Sequence, residues 1–137
     1  MFGIDSIFAG WFYFNIDELE NNYSLSYLDC VKEELDDLFN LDIQEGKYKV
    51  FDMESFGDLW VTAYRQYDTL NLVFTKIHAE EEISQLYRLD YDKFVKSYIE
   101  SMEQYKDVYI KEFAYHQDDF VWDTEEYQQL KAKLSKD

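Results

Sequence analysis

The sequence predicts an α+β fold, in which a small antiparallel β-sheet of about four strands carries three or so α-helices packed against it. Apolar and polar residues alternate with a period of two in residues 58–66 and 69–77, which is typical of strands with one buried face. Apolar residues instead recur at helical spacing in 24–41 and 90–115. The 137 residues include no proline and only four glycines, so no segment resembles a linker and we expect a single acidic domain over 1–137.

Four segments are predicted to be strands. The segments "GWFYFNI" (10–16) and "KYKVFDME" (47–54) contain the aromatic and β-branched residues that strands favour, and 58–66 and 69–77 follow them. The last three segments are joined by short connections, whereas a parallel crossover needs about a dozen residues. We therefore predict an antiparallel meander over 47–77.

The first helix is predicted over 24–41, where Ser26 and Asp29 resemble a capping box. Its apolar face is formed by Leu28, Val31, Leu35 and Leu38. The opposite face carries four acids: Glu33, Glu34, Asp36 and Asp37. This pattern indicates an amphipathic helix with a negatively charged outer surface.

Two further helical patterns follow in the C-terminal half. Asp90 is placed to cap the pattern over 90–115, which forms either one long helix or two helices with a break near 106–107. A short last helix is predicted to begin near Asp123, with Glu126 at the capping-box position. Its inward-facing residues are expected to be Tyr127, Leu130 and Leu134.

The net charge is strongly negative and unevenly distributed. Thirty acidic residues against thirteen basic ones give a formal net charge of −17. Residues 1–46 hold eleven acids and one base, and six acids fall from Glu112 to Glu126, whereas residues 47–76 hold four of each sign. Phosphates of nucleic acids and anionic membranes would repel such a chain, so we expect no direct nucleic-acid partner and no membrane partner. Aromatic residues make up 20% of the chain, which favours a folded core over a disordered acidic segment.

Cysteine content and the N-terminal segment indicate a location. Cys30 is the single cysteine, which excludes an internal disulfide and a multi-cysteine zinc site. The N-terminal segment carries Asp5 and has no basic residue before Lys32, so we predict neither a signal peptide nor a membrane span. The expected location is cytoplasmic, and the sequence carries no signal for the oligomeric state.

Metal and catalytic motifs are weak throughout the sequence. His78 precedes a run of three glutamates and His116 precedes Asp118 and Asp119, but no H-E-x-x-H or H-x-H spacing occurs. The sequence also has no G-x-S-x-G motif and no glycine-rich phosphate loop. We therefore predict no metal, no cofactor and no catalytic residue. A small metal-dependent enzyme that uses the His78 or His116 region is one alternative.

The acid-rich segments are predicted to bind a partner. We expect the acids of the first helix to act together with those of the C-terminal segment: Asp118, Asp119, Asp123, Glu125 and Glu126. Phe120 and Trp122 lie among these acids without a periodic pattern that turns them inward, so they are predicted to be exposed apolar anchors. Carboxylates in such a row can enter a cleft that normally holds phosphates.

These observations lead to a functional hypothesis. The sequence is expected to encode a non-catalytic inhibitor that docks on a basic, nucleic-acid-binding effector of the nuclease type and mimics the charge of DNA. Immunity proteins that neutralise a toxin and phage proteins that disarm a host nuclease defence, as anti-CRISPR proteins do, share this physics. The second alternative is an acidic adaptor or housekeeping domain whose charge serves solubility alone.

Overall fold

Seven strands form two antiparallel sheets in the part of the chain that the computed structural model describes, namely residues 1–8, 11–16, 22–26, 31–41, 48–53, 59–78, 80–112 and 122–134. The first sheet has the order β1-β2-β3 and the second the order β4-β5-β6-β7. The strands are β1 (Phe2–Phe8), β2 (Trp11–Ile16), β3 (Asn22–Ser26), β4 (Tyr48–Met53), β5 (Leu59–Gln66), β6 (Thr69–His78) and β7 (Glu81–Asp90). The helices are α1 (Val31–Phe39), α2 (Tyr91–Gln104), α3 (Lys106–Glu112) and α4 (Glu125–Leu134). The predicted α+β class is confirmed.

The predicted meander is also confirmed. Strand β4 pairs antiparallel with β5, and β5 pairs antiparallel with β6. The structure adds β7 as a fourth neighbour, which pairs with β6 over ten residues, from Thr69↔Asp90 to His78↔Glu81. The glutamates after His78 therefore belong to the β6–β7 turn and the start of β7, where Glu80, Glu81 and Glu82 are exposed.

Residues 11–16 form β2 in a separate sheet, which the sequence did not predict. Strand β2 lies between β1 and β3, and a β-bulge between Ile4 and Ser6 shifts the β1 register so that Ile7 is buried. Ser26 pairs with Trp11 at the end of β3, and α1 begins only at Val31. The predicted helix over 24–41 is therefore wrong at its start, because residues 24–26 belong to β3 and Ser26 pairs with a strand instead of capping a helix.

Strand β3 forms instead of a helix because its residue Tyr23 makes long-range contacts. Tyr23 is 3% exposed and its ring lies 4.2 Å from that of Phe74, in the other sheet. Its hydroxyl is 2.8 Å from the Tyr87 hydroxyl, in a buried hydrogen bond. These contacts join the two sheets into one core and outweigh the local helical pattern.

The core is aromatic and includes residues from both sheets and the helices. The Phe2 ring packs edge-on against Phe39, Phe94 and Tyr98 at centroid distances of 6.4, 6.2 and 4.9 Å. The Phe14 ring packs against Phe74 at 6.1 Å. No helix among the described residues is long and apolar enough to cross a membrane.

The long C-terminal helical pattern is two helices. Helix α2 is followed by Tyr105 and then α3, so the break lies one residue before the predicted position. Asp90 caps α2 as predicted, because its Oδ1 accepts a hydrogen bond of 2.9 Å from the Lys93 amide. The last helix begins at Glu125, and its cap is Thr124 rather than Asp123: the Thr124 hydroxyl accepts a hydrogen bond of 3.3 Å from the Tyr127 amide.

Candidate acidic binding site

Helices α1 and α4 bring acids from the two acid-rich parts of the sequence together. A groove of about 460 Å³ is lined by Glu33, Glu34, Asp37, Thr124 and Glu126, and it is called the acidic groove below. Four of its five lining residues are acids. Three of them lie on α1, and Glu126 lies at the start of α4, almost a hundred positions later in the chain. The sequence predicted each of these four acids as partner-binding.

Local helix geometry places these side chains. Val31, Leu35 and Leu38 turn one face of α1 into the core, which leaves Glu34 and Asp37 exposed and Glu33 half-buried. Glu126 lies in the first turn of α4, directly after the Thr124 cap. Acids in a first helical turn are stabilised by the partial positive charge of the helix N-terminus, by about 0.3–1 kcal/mol each. That stabilisation offsets part of the mutual repulsion of the groove carboxylates.

Contacts between helices hold α4 beside α1. Tyr127 donates a hydrogen bond of 2.8 Å to Glu103 Oε1 on α2, and Lys131 Nζ lies 3.4 Å from the same oxygen. Further along α4, Gln129 Oε1 accepts a hydrogen bond of 2.7 Å from Asn40, and Lys133 donates one of 2.8 Å to the Leu41 carbonyl. The two walls of the acidic groove are thus fixed at several points.

A lysine is enclosed in the core on the other side of α1. Lys32 and Asp36 are both 0% exposed, and Lys32 Nζ lies 2.6 Å from Asp36 Oδ2. Tyr98 donates a hydrogen bond of 2.7 Å to Asp36 Oδ1. The ammonium also lies 3.2 Å from the Tyr127 ring centroid and 4.7 Å from that of Trp122. We call these five residues the Lys32 cluster.

Burial changes the titration of this cluster. Desolvation lowers the pKa of the Lys32 ammonium, although the neighbouring Asp36 carboxylate acts in the opposite direction. Desolvation also raises the pKa of Asp36 to about 6, against the effects of Lys32 and of the Tyr98 hydrogen bond. The negative charge of Glu126, in the acidic groove, contributes to that rise. The groove and the buried cluster are therefore electrostatically coupled.

Two predicted positions in the partner-binding set are corrected by this geometry. Asp36 belongs to the buried face of α1, because it is the i+4 partner of Lys32 and shares its enclosure. Trp122 is 3% exposed and packs edge-on against Tyr109 and Tyr127 at 5.8 and 5.7 Å, so it is not an exposed anchor. Its indole N–H is buried without a hydrogen-bond partner among the described residues.

The remaining predicted residues divide into two groups. Asp123 and Glu125 are exposed, and in the sequence they are neighbours of Thr124 and Glu126, which line the acidic groove. Asp118, Asp119 and Phe120 lie outside the described residues, as do His116 and Cys30. Among the residues that are described, no group of three or more His, Cys, Asp or Glu side chains is arranged to hold a metal ion.

Sequence reasoning missed the Lys32 cluster. One signal was present, since Lys32 and Asp36 are spaced as an i,i+4 ion pair on the turns that also carry Val31 and Leu35. The aromatic enclosure had no sequence signal, because Tyr98, Trp122 and Tyr127 come from distant segments.

Comparison of this chain with protein-family models, with curated proteins and with solved structures finds no match. A function for this chain is therefore inferred from its acidic groove and from its net charge.

Proposed function

We propose that this protein is a non-catalytic inhibitor that binds a basic, nucleic-acid-binding effector of the nuclease type and occupies the effector's phosphate-binding surface. The observation that carries the proposal is the acidic groove, in which four carboxylates from two distant segments line one depression. Toxin immunity and phage anti-defence are the two settings that this activity suits. The nuclease class and both settings are part of the proposal.

The groove has the chemistry to receive cationic side chains. Glu33 and Asp37 are four residues apart on α1, and Glu34 and Asp37 are three apart, so each pair lies on one side of the helix about 5–6 Å apart at Cβ. A guanidinium or ammonium group entering between α1 and α4 would meet carboxylates from both helices. Arginine is favoured, because its planar fork can bind two carboxylates at once.

The net charge of the whole chain adds a long-range attraction to the local attraction between the groove carboxylates and a cationic side chain. A chain of net charge −17 attracts a positively charged surface from a distance, which raises the association rate and makes it depend on ionic strength. Dissociation depends on close contacts instead. Phe120 stays a predicted anchor, whereas Trp122 is buried and packs against Tyr127 of α4, the helix that carries Glu126.

The proposal is tested with a panel of purified bacterial nuclease toxins and CRISPR effector nucleases. Each is assayed for nucleic-acid binding and cleavage with and without the protein, at two salt concentrations. We expect stoichiometric inhibition of one member, competitive with its nucleic acid and weakened by salt.

Two matched variants locate the interaction. The groove variant carries Glu33→Gln, Glu34→Gln, Asp37→Asn and Glu126→Gln. The control variant neutralises three exposed glutamates and one exposed aspartate elsewhere, Glu80, Glu81, Glu82 and Asp92, and so has the same net charge. The groove variant should lose inhibition through slower association, and the control should retain most of it. Equal inhibition by both variants, or a panel in which no member is inhibited, would contradict the proposal.

A further inference from the structure

Three aromatic side chains lie next to one another on the outer face of the first sheet. Phe8 of β1 is opposite Trp11 of β2 in the register, and Tyr13 follows Trp11 by two residues on the same strand, so the three side chains share one face. Phe8 is 69% exposed, Tyr13 is 36% exposed and Trp11 is half-buried. The Trp11 and Tyr13 rings are inclined by only 26°, with centroids 6.4 Å apart. Phe8, Trp11 and Tyr13 are called the aromatic row below.

The aromatic row is not part of the core, because helices pack on the opposite face of the same sheet. On that inner face, Phe2 packs against Phe94 and Tyr98 of α2, and Phe12 packs against Tyr109 of α3 at 6.2 Å. Two residues of the row are among the five large hydrophobic side chains that are exposed in the described part of the chain. Neighbouring exposed aromatic side chains of this kind indicate a binding surface.

The charge beside the aromatic row is negative. Among the described residues of the three strands, Asp5 is the one charged side chain, and it lies in the β-bulge, next to Ser6, which is opposite Tyr13. Asp5 is exposed, and its Oδ1 accepts a hydrogen bond of 2.6 Å from Asn15 of β2, which holds the carboxylate at the outer face. In the sequence, residues 1–31 contain five acids and no lysine, arginine or histidine.

We propose that the aromatic row and Asp5 bind arginine side chains of a basic peptide segment. Cations are attracted to the faces of tryptophan, tyrosine and phenylalanine rings. A guanidinium group is planar, so it can stack on such a ring while its N–H groups bind a carboxylate. The aromatic row supplies the rings, and Asp5 supplies the carboxylate.

Charge selects a cationic occupant over the other ligands that stack on aromatic rings. Single-stranded nucleic acids stack their bases on such rings, but they need a positively charged surface for their phosphates, and a chain of net charge −17 repels them. A neutral sugar gains no attraction from this charge. A cationic segment gains both the long-range attraction of the whole chain and the local attraction of Asp5.

The aromatic row shares no residue with the acidic groove and lies on different elements of the fold. A basic segment therefore meets carboxylates of two helices in the groove, whereas on the sheet it meets three rings and one carboxylate. Binding at the aromatic row does not depend on the proposed inhibition of a nuclease, and it is tested without one.

The test is a nuclear magnetic resonance titration of the full, isotope-labelled chain with a peptide of alternating arginine and glycine residues. It is carried out at about 0.15 M NaCl, where charges more than about 8 Å apart are screened. We expect saturable shifts of the Phe8 and Tyr13 amide signals and of the Trp11 indole signal, which is assigned by its absence from Trp11→Phe. The matching lysine peptide should bind several-fold more weakly, because its ammonium has no flat face. The uncharged citrulline peptide should cause no shift.

Variants that keep the net charge separate the rings from the general attraction of an acidic chain. Phe8→Ala, at a highly exposed position, should raise the dissociation constant of the arginine peptide about two- to fivefold, and Phe8→Ala with Tyr13→Ala about tenfold. The matched control combines Leu86→Ala and Val108→Ala, two exposed residues outside the first sheet, and should bind as the wild type does. Should the double variant fail to fold, Phe8→Ala alone carries the test.

The groove variant should keep the shifts of the aromatic row, because it leaves these three residues and Asp5 unchanged. Loss of those shifts in the groove variant would show that the peptide binds at the groove only and would overturn the proposal. Equal affinity of the Phe8→Ala and control variants would also overturn it. So would shifts of the aromatic row with cellohexaose or oligothymidine in place of the arginine peptide.

Discussion

At the scale of single residues, Lys32 and Asp36 are two charged side chains that the fold buries as an ion pair. Both are fully buried, and a buried ion pair is tolerated only where its remaining hydrogen-bonding positions are filled. Tyr98 fills one on Asp36, while the rings of Tyr127 and Trp122 receive the ammonium. The α1 backbone is held there too, because the Lys32 amide donates a hydrogen bond of 3.1 Å to the Tyr109 hydroxyl.

Stability should depend on pH through Asp36. Its folded-state pKa of about 6 lies above the ordinary value of 3.8, so between these two pH values the folded state holds a proton that the unfolded state has released. The stabilisation is fully present below about pH 4 and is lost as pH rises through 6, by about 2–3 kcal/mol.

The measurement compares wild type with Asp36→Asn, which does not titrate, by urea unfolding between pH 4 and pH 7. Wild type should lose about 2–3 kcal/mol relative to the variant over that range. Every other carboxylate titrates in both proteins and cancels. A difference in unfolding free energy that is independent of pH would show that Asp36 has an ordinary pKa.

Trp122 should contribute strongly to the free energy of unfolding. Trp122→Ala leaves a large cavity against Tyr109 and Tyr127 and should cost about 3–5 kcal/mol of unfolding free energy. Trp122→Phe should cost distinctly less, because the indole N–H makes no hydrogen bond with the described residues and a ring still faces Lys32. Denaturant titrations measure both, and Phe8→Ala serves as the surface control because Phe8 is 69% exposed. Equal losses for alanine and phenylalanine at 122 would argue against this packing.

At the scale of elements, a tight turn connects β5 and β6 in the second sheet. Strands β5 and β6 are joined by Tyr67 and Asp68 alone, and Tyr67 has a φ of 54°. The Arg65 side chain supports the turn by donating a hydrogen bond of 2.7 Å to the Tyr67 carbonyl. A bulky residue in this left-handed region is strained, whereas glycine is not.

Tyr67→Gly should therefore stabilise the protein. The side chain is 61% exposed, so little packing is lost, and relief of strain outweighs the extra backbone entropy of glycine in the unfolded chain. We expect a gain of up to about 1 kcal/mol in thermal or chemical unfolding. Gln66→Gly, one position earlier at the end of β5, should instead destabilise. A loss of stability at residue 67 as large as that at 66 would refute the strain argument.

At the scale of the whole molecule, the excess of negative charge is large, and part of it is gathered in one groove. The acidic groove lies between α1 and α4 and is lined by four of the thirty acidic residues. A net charge of −17 destabilises any compact state through self-repulsion. Two features help the molecule to tolerate this charge: Glu33, Glu34 and Glu126 lie in the first turns of helices, and the aromatic core is extensive.

Salt should therefore raise the thermal stability of the wild type. Raising NaCl from about 10 mM to about 0.5 M shortens the Debye length from about 30 Å to a few ångströms and screens the repulsion. The groove variant and its control each lack four negative charges, so their melting temperatures should rise less. Calorimetry at several salt concentrations measures this, and a wild-type melting temperature that falls with salt would contradict it. The same melts show that any loss of inhibition by the groove variant is not a loss of fold.

The sequence indicated correctly the features that depend on local pattern. Period-two alternation over 58–66 and 69–77 identified β5 and β6, because a sheet with one buried face imposes that pattern on neighbouring residues. Asp90 was identified as a helix cap for the same local reason. Strand β3 was missed, since its formation depends on contacts of Tyr23 with Phe74 and Tyr87 that no local window contains.

The sequence by itself determined the α+β class, the meander and the excess of acids in two segments. Only the tertiary structure decided that Glu33, Glu34 and Asp37 of one segment meet Glu126 of the other in one groove between α1 and α4. It also decided that Asp36 and Trp122 are buried, beside Lys32. The reason is physical: periodicity reports which face of an element is apolar, whereas the burial of a charged or aromatic residue depends on which distant side chains pack over it.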